Sequence, residues 1–406
     1  MSMSDFSRKD FLKSAAMVSA GYAAATALGP ISALADDAVG FKYQGGSNMK
    51  IAKVEAFLTS DRWCFVKVTT ENGEYGWGET GCWAWQEAVV PAVKALEKLI
   101  IGKDPFQIEW IYQGLTRAGH FRGQVINSAI SAIDIALWDL KGKALGVPIY
   151  ELLGGAVRNK VKVYDTTTNN KTPQDIGNNV KALVDEGWEY VRIRQINTAS
   201  ENGSLENSAE KIRVNTESFQ AIRDIAGWDV NISFESHRGL KPVEAIELGK
   251  RVDKYLCHFY EDPVLDSLSI QKYVSANCLI PIATGERNVT VEEHQALLDF
   301  TDVRYLRPDM CVIGGISAGK KVAVMAEHKG VGIIPHNPLG PISTMAAMQV
   351  DMTIPNFEVQ EWPRAMMEEE VNNYLKEPAF EVKNGYCVIS DRPGLGLDLT
   401  DDFFTK

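Results

Sequence analysis

Apolar and polar residues alternate from Met49 onward, first in KIAKVEAFLTS and then in WCFVKVTTENGEYGWGET. A period of two belongs to a half-buried strand, and Asn72-Gly73 within the second run marks a hairpin. The pattern predicts an antiparallel sheet. From Trp85 to about Ala144 the period lengthens, and AVVPAVKALEKLIIG and SAISAIDIALWDLKGKALG place apolar residues three and four apart, as helices with one buried face do. Residues 49–160 therefore read as a small α+β domain, closing near Leu152 to Gly155.

Beyond Lys160 short apolar runs recur: VKVYD at 161, YVRIR at 190, VNISFE at 230, CHFYE at 257, IPIAT at 280, VRYLRPD at 303, VGIIPH at 331 and FEVQE at 357. Such runs suit parallel strands buried on both faces, and helical segments separate most of them. Eight strands alternating with helices predict a (β/α) barrel over residues 161–373, with its chemistry at the carboxyl ends of the strands. Residues 374–406 lack this rhythm and are expected to return to the first domain and cover the barrel mouth. Residues 36–48 read as a polar linker. Residues 1–35 read as an export signal: Ser7-Arg8-Lys9-Asp10-Phe11-Leu12-Lys13 is similar to a twin-arginine motif with lysine in second place. An Ala-rich stretch ending Ala33-Leu34-Ala35 follows. A periplasmic location is expected, and no later run is long and apolar enough to span a bilayer.

The strand ends carry the candidate chemistry. Glu235, Glu261 and Glu286 each close an apolar run, 26 and 25 residues apart, so adjacent parallel strands would bring three carboxylates side by side. They repel one another unless a cation lies among them, and an all-oxygen set suits a hard ion such as Mg2+. Arg192 and Arg194 alternate onto one side of their strand, where they can steady an anionic substrate. His237 stands two residues after Glu235, which on strand alternation places its imidazole beside the metal as a proton donor. Asp309 and His336 end neighbouring strands, and a carboxylate on one ring nitrogen makes the other a general base. Glu361 ends the eighth strand, free to contact substrate or to balance nearby cations. Trp83 and Trp85, in a loop after the second strand, and Arg122 within RAGHFRG are candidates for a lid.

Composition removes other readings. Lys and Arg number 42 against 53 Asp and Glu, a net charge of −11, so nucleic acid is not an expected partner. Six cysteines without CxxC spacing indicate neither a zinc site nor a disulfide frame.

The segments GKDPFQIEWIY, AIDIALWDLKGKALGVPIYELLGG, FYEDPV, IATGER, RPDMCVIGGIS, PHNPLGPIS and PGLGLDL, in this order, resemble the enolase superfamily. Within it they are similar to the mandelate racemase-like branch and its acid-sugar dehydratases of the D-galactonate and D-mannonate type. The resemblance implies an α+β capping domain on a (β/α)7β modified TIM barrel. It puts metal ligands at Glu235, Glu261 and Glu286, a His-Asp dyad at His336 and Asp309, an acid at His237 and a further catalytic glutamate at Glu361. Three features depart from the family. Glu235 stands where aspartate is usual. Arg192-x-Arg194 replaces the lysines that serve many relatives as base, which speaks against a Lys-dependent racemase or lactonising enzyme. Arg192 resembles the mannonate dehydratase arginine, yet INTASENGSLENSAE lacks its tyrosine partner.

The implied activity is Mg2+-dependent dehydration of a sugar acid to a 2-keto-3-deoxy acid. His336 removes the C2 proton through a metal-stabilised ene-diolate, His237 protonates the departing C3 hydroxyl, and Arg192, Arg194, Glu361, Trp83 and Arg122 hold the polyol. Epimerisation or anhydro-sugar acid cycloisomerisation would use the same first step, and a non-catalytic acid-sugar binding protein is the alternative of another class. A homo-oligomer is expected.

Overall fold

The computed structural model describes residues 46–59, 62–120, 122–166, 171–197, 207–364, 367 and 374–400. The export-like segment, most of the linker and part of the loop after the second barrel strand lie outside the described residues.

Residues 49 onward begin with an antiparallel sheet of β1 (Ile51–Leu58), β2 (Cys64–Thr70) and β3 (Tyr75–Glu79), in that order. The second alternating run is thus two strands, turned at Asn72-Gly73, where Gly73 takes a positive φ of 88°. Helices α1 (Gln86–Ile100), α2 (Ile108–Arg117) and α3 (Gln124–Leu145) cover the sheet. α3 lies directly on β3 because Gly76 and Gly78 have no side chain. A Cβ there would stand 2.0 Å from the Ala136 carbonyl oxygen and 1.8 Å from that of Ala132. After the single turn α4 (Ile149–Leu152) the chain enters the barrel.

The barrel strands are β4 (Val161–Asp165), β5 (Tyr190–Arg194), β6 (Asn231–Glu235), β7 (Cys257–Glu261), β8 (Ile282–Thr284), β9 (Tyr305–Leu306), β10 (Gly332–Ile333) and β11 (Gln360–Trp362). β4 to β10 pair in parallel sequence, β11 pairs in parallel with β4, and the bridge Ile333–Phe357 joins the last gap. The strands are short and buried on both faces, as parallel strands under helices must be. Seven helices return between them: α5 (Pro173–Asp185), α6 (Ser208–Ile225), α7 (Pro242–Val252), α8 (Leu268–Asn277), α9 (Val291–Phe300), α10 (Gly315–His328) and α11 (Pro341–Asp351). This is the (β/α)7β barrel with an α+β cap that the family resemblance implies, on the eight strands the periodicity predicts. Tyr164, Phe259, Ala283, Ile334 and Val359 form a small buried cluster of their own, separate from the main core.

The described residues beyond 374, up to 400, do not cover the mouth. The hairpin β12 (Phe380–Lys383) and β13 (Tyr386–Ile389) pairs Tyr386 and Cys387 with Lys162 and Val161, the opening residues of β4, at the other end of that strand from the mouth. Farther on, Leu395 N–H donates to buried Asp139 of α3 at 2.8 Å, and Asp398 accepts from the Tyr75 hydroxyl at 2.6 Å.

Buried polar contacts fasten the cap to the barrel beside the mouth. Glu79, the last residue of β3, accepts from Gly340 N–H at 2.7 Å and Ser343 N–H at 2.8 Å, where α11 begins. Gly81 N–H donates to the Cys311 carbonyl at 3.0 Å, and Asp134 of α3 accepts from the Ser317 hydroxyl on α10 at 2.6 Å. Burial pushes Glu79 up to about 8, against the two hydrogen bonds at α11. The folded chain therefore retains a proton on Glu79 that the unfolded chain releases near its ordinary value of about 4.5. Stability contributed at this site falls as pH rises from about 4.5 to about 8. Glu79→Gln removes that titration, so the wild-type minus variant difference in urea midpoint should decline across that window. A difference that stays level with pH would contradict the assignment.

Candidate active site

Strand alternation explains the lining of the mouth. Phe259 and Glu261, Tyr305 and Arg307, Ile334 and His336, and Val359 and Glu361 are pairs two residues apart. A strand that turns the first member inward turns the second inward as well, one step nearer the mouth. Glu235 lies opposite Glu261 in the β6–β7 register and opposite Arg194 in the β5–β6 register.

Arginines hold these carboxylates. Arg192, 2% exposed, donates from Nη1 to Glu261 Oε1 and to Glu361 Oε1, both at 2.8 Å, and its Nη2 lies 3.3 Å from Glu235 Oε2. Arg194 Nε donates to the same Glu235 oxygen at 2.7 Å. Arg307 is wholly buried: Nη2 reaches Glu361 Oε2 at 2.7 Å and Glu261 Oε1 at 3.0 Å, and Nη1 donates to the Tyr164 hydroxyl at 2.9 Å. Glu361 also accepts from Asn337 N–H at 3.0 Å. Of the two arginines on β5 only Arg194 keeps an exposed head, with half its side chain in solvent, whereas Arg192 is committed to three carboxylates. Glu361 balances these cations, with Oε1 on Arg192 and Oε2 on Arg307 and Asn337 N–H.

On the other side of the mouth Glu286 meets both histidines. Its Oε1 accepts from Arg238 Nη1 at 2.8 Å and lies 3.8 Å from His237 Nε2. Its Oε2 lies 3.5 Å from His336 Nε2, while His336 Nδ1 is 2.8 Å from Asp309 Oδ2. The dyad expected from Asp309 and His336 is therefore assembled, its second nitrogen turned toward the cluster. His237 arrives by a different route from the one alternation suggests. β6 ends at Glu235, and His237 and Arg238 take positive φ of 49° and 64°, a left-handed corner that leaves His237 largely exposed and turns Arg238 inward. Arg238 also bonds Asp262, at 3.0 Å. Arg307, Arg238 and Asp262 are not among the residues the sequence singles out. Arg307 was legible by counting back two from Asp309; nothing in the sequence marks the corner that brings in Arg238.

Protonation follows from these contacts. Burial would raise Glu361, but Arg192 and Arg307 hold it well below the usual carboxylate range. Glu286 is likewise held down, to about 2, by His336, Arg307 and Arg238 in spite of burial. Burial wins at Glu261, which rises to about 7. Burial would lower His336, yet Glu286 and the Asp309 hydrogen bond raise it to about 9. Burial and neighbouring Arg238 lower His237. In the metal-free chain the two imidazoles are thus pushed in opposite directions, His336 toward its protonated form and His237 toward its neutral form.

The donor set fits a hard divalent cation in its chemistry: three carboxylates at consecutive strand ends, each with one oxygen on an arginine. Glu261 Oε2 is buried and unpartnered. Arg192 bridges Glu235 and Glu261 while Arg238 holds Glu286, and among the described residues no group of three Asp, Glu, His or Cys side chains is already gathered as a metal site. Two lid candidates lie apart from the cluster. Arg122 is half exposed and 4.0 Å from Glu292 at the start of α9, in a cleft of about 240 Å3 that Tyr112, Arg117 and Lys321 also line. Trp83 is 57% exposed in the loop after β3, beside the Gly81–Cys311 contact.

Comparison with known proteins agrees with this architecture. Residues 50–154 match the model of the mandelate racemase / muconate lactonizing enzyme N-terminal domain, and residues 175–403 that of the enolase C-terminal domain-like family. The chain belongs to the mandelate racemase and muconate lactonizing enzyme family of the enolase superfamily. It is 34% identical over 359 residues to a D-galactonate dehydratase of Verminephrobacter eiseniae, covering 87% of this chain and 93% of that one. A D-galactonate dehydratase of Klebsiella pneumoniae is 34% identical over 361 residues with the same coverage. Among solved structures, an enolase from Pantoea ananatis with bound D-gluconate and Mg superposes with a TM-score of 0.81 at 30% identity, covering 88% of this chain and 94% of that one. An enolase superfamily member from Salmonella Typhimurium gives 0.82 at 30% identity, covering 88% and 98%. No helix among the described residues is long and apolar enough to cross a membrane.

Removing Arg307 leaves buried Glu261 and Glu361 short of a partner. Arg307→Leu should therefore lose about 3–5 kcal/mol of stability, read from urea unfolding near neutral pH. A loss under about 1 kcal/mol, the scale of a surface pair, would show that the network is not load-sharing at this residue.

Proposed function

We propose that the chain dehydrates a sugar acid, an aldonate, to a 2-keto-3-deoxy acid with Mg2+ held by Glu235, Glu261 and Glu286. The observation that carries this reading is the His336–Asp309 pair, 2.8 Å apart, with the other His336 nitrogen 3.5 Å from Glu286. Relatives of similar length are D-galactonate dehydratases, and a structural neighbour holds D-gluconate and Mg, which supports the substrate class and the ion. When bound, Mg2+ would withdraw electrons from the substrate carboxylate and so acidify the C2 proton.

The chain's own residues do the rest. Asp309 fixes the tautomer of His336, leaving Nε2 to take the C2 proton. His237, exposed at the mouth and on the other side of Glu286, gives a proton to the C3 hydroxyl as it leaves. Arg194, the arginine with an exposed head, steadies the polyol. Trp83 and Arg122, exposed and apart from the cluster, would serve as lid residues over the outer approach.

Export belongs to this reading through Arg8-Lys9 and the Ala33-Leu34-Ala35 cleavage pattern. A homo-oligomer is supported by Trp228, Leu256, Leu279 and Phe300, each more than half exposed just before β6, β7, β8 and β9, on the face opposite the mouth.

Aldonic and aldaric acids supplied with Mg2+ should include one from which a semicarbazide-reactive keto acid forms, and EDTA should abolish its formation. Product NMR in D2O separates this outcome from epimerisation, which yields no keto acid, and the product mass separates it from cycloisomerisation, which opens an anhydro ring without loss of water. His336→Asn should lower kcat by about 10²–10⁴-fold.

A further inference from the structure

The guanidinium of Arg192 lies between two of the carboxylates assigned to the cation. It donates to Glu261 Oε1 and Glu361 Oε1, both at 2.8 Å, and lies 3.3 Å from Glu235 Oε2. Tyr164 lies 5.6 Å from its Cζ. The three carboxylates it touches are matched by three guanidiniums, Arg192, Arg194 and Arg307, so this part of the cluster is electrically balanced by protein charge alone. A dication is drawn to a set of carboxylates by their uncompensated charge and by oxygens free to turn toward it. Arg192 reduces both. A lysine at this place would carry the same charge on a single point and could not fork across three carboxylates as a planar guanidinium does.

We infer that Arg192 is an internal competitor for the divalent cation: it holds one oxygen of Glu235 and one of Glu261, and the ion gains those oxygens and their charge only as Arg192 yields them. This rests on the reading that Glu235, Glu261 and Glu286 hold Mg2+, and it adds that the chain binds Mg2+ more weakly than its carboxylates alone would allow. Glu361 is where Arg192 goes when it yields, since that carboxylate lies outside the assigned ligand set and already accepts one of its N–H groups. Arg192 thereby sets the cation concentration at which the site fills.

Binding of Mn2+ to the full chain, followed by electron paramagnetic resonance, and of Mg2+, followed by calorimetry, reads this without any turnover. After EDTA treatment and dialysis, Arg192→Met should bind either ion at least tenfold more tightly than the wild type, with Arg192→Lys in between. Added Mg2+ should also raise the melting temperature of Arg192→Met by more than it raises that of the wild type. Arg192→Lys keeps the positive charge and serves if the methionine variant does not fold. If wild type and variants bind with equal affinity, or the variants bind more weakly, Arg192 is not a competitor and the Mg2+ reading stands. If none of them binds either ion at millimolar concentration, the Mg2+ reading falls, and the competitor falls with it.

Discussion

Compensation of buried negative charge is the constraint on which the rest of the site depends. Carboxylates brought to consecutive strand ends cannot remain ionised in a dry barrel mouth unless positive charge is built in beside them. Here that charge comes from Arg192 on β5, Arg307 just after β9 and Arg238 at the corner after β6, and each reaches more than one acid. The arrangement decides which groups remain available for chemistry. Arg192 and Arg307 are occupied with Glu361, whereas the half-exposed Arg194, the exposed His237 and the Nε2 of His336, 3.5 Å from Glu286, lie at the margin of the network.

The cap contributes by immobilising the strand ends rather than by adding chemistry. Two glycines let α3 lie on β3, and β3 in turn delivers Glu79 and Gly81 to the loops that follow β10 and β9. Those loops carry His336 and Asp309. The spacing of the dyad is therefore set across the joint between cap and barrel, and a domain without catalytic side chains of its own shares in fixing the geometry of the base.

Much of this was legible in the chain because strands and helices impose periods that survive in sequence. The barrel, the cap and the glutamates at strand ends follow from a period of two, a period near 3.6 and an interval of one strand plus one helix. What could not be read was direction beyond the strand ends. His237 was placed by extending alternation past Glu235, but the strand stops there and the backbone turns left-handed, so His237 and Arg238 exchange the sides that alternation would give them. Acidic residues at strand ends can be counted in the sequence, whereas the reach of Arg192, Arg238 and Arg307 across them cannot. Glu79 went unnoticed since a lone glutamate after an apolar run looks like the solvent end of a strand. Its partners, the N–H groups of Gly340 and Ser343, lie far along the chain.

The corner at His237 and Arg238 gives the mouth two unlike rims. Along one rim regular strand ends fix the side chains, and a small change in a neighbour alters little but packing. Along the other, two bulky residues sit in a backbone region that glycine enters freely and L side chains avoid, at a cost on the order of 1–3 kcal/mol each. The wall beside Glu286 is held under tension by its ties to Glu286 and Asp262, and it is the part of the opening with most to gain by relaxing.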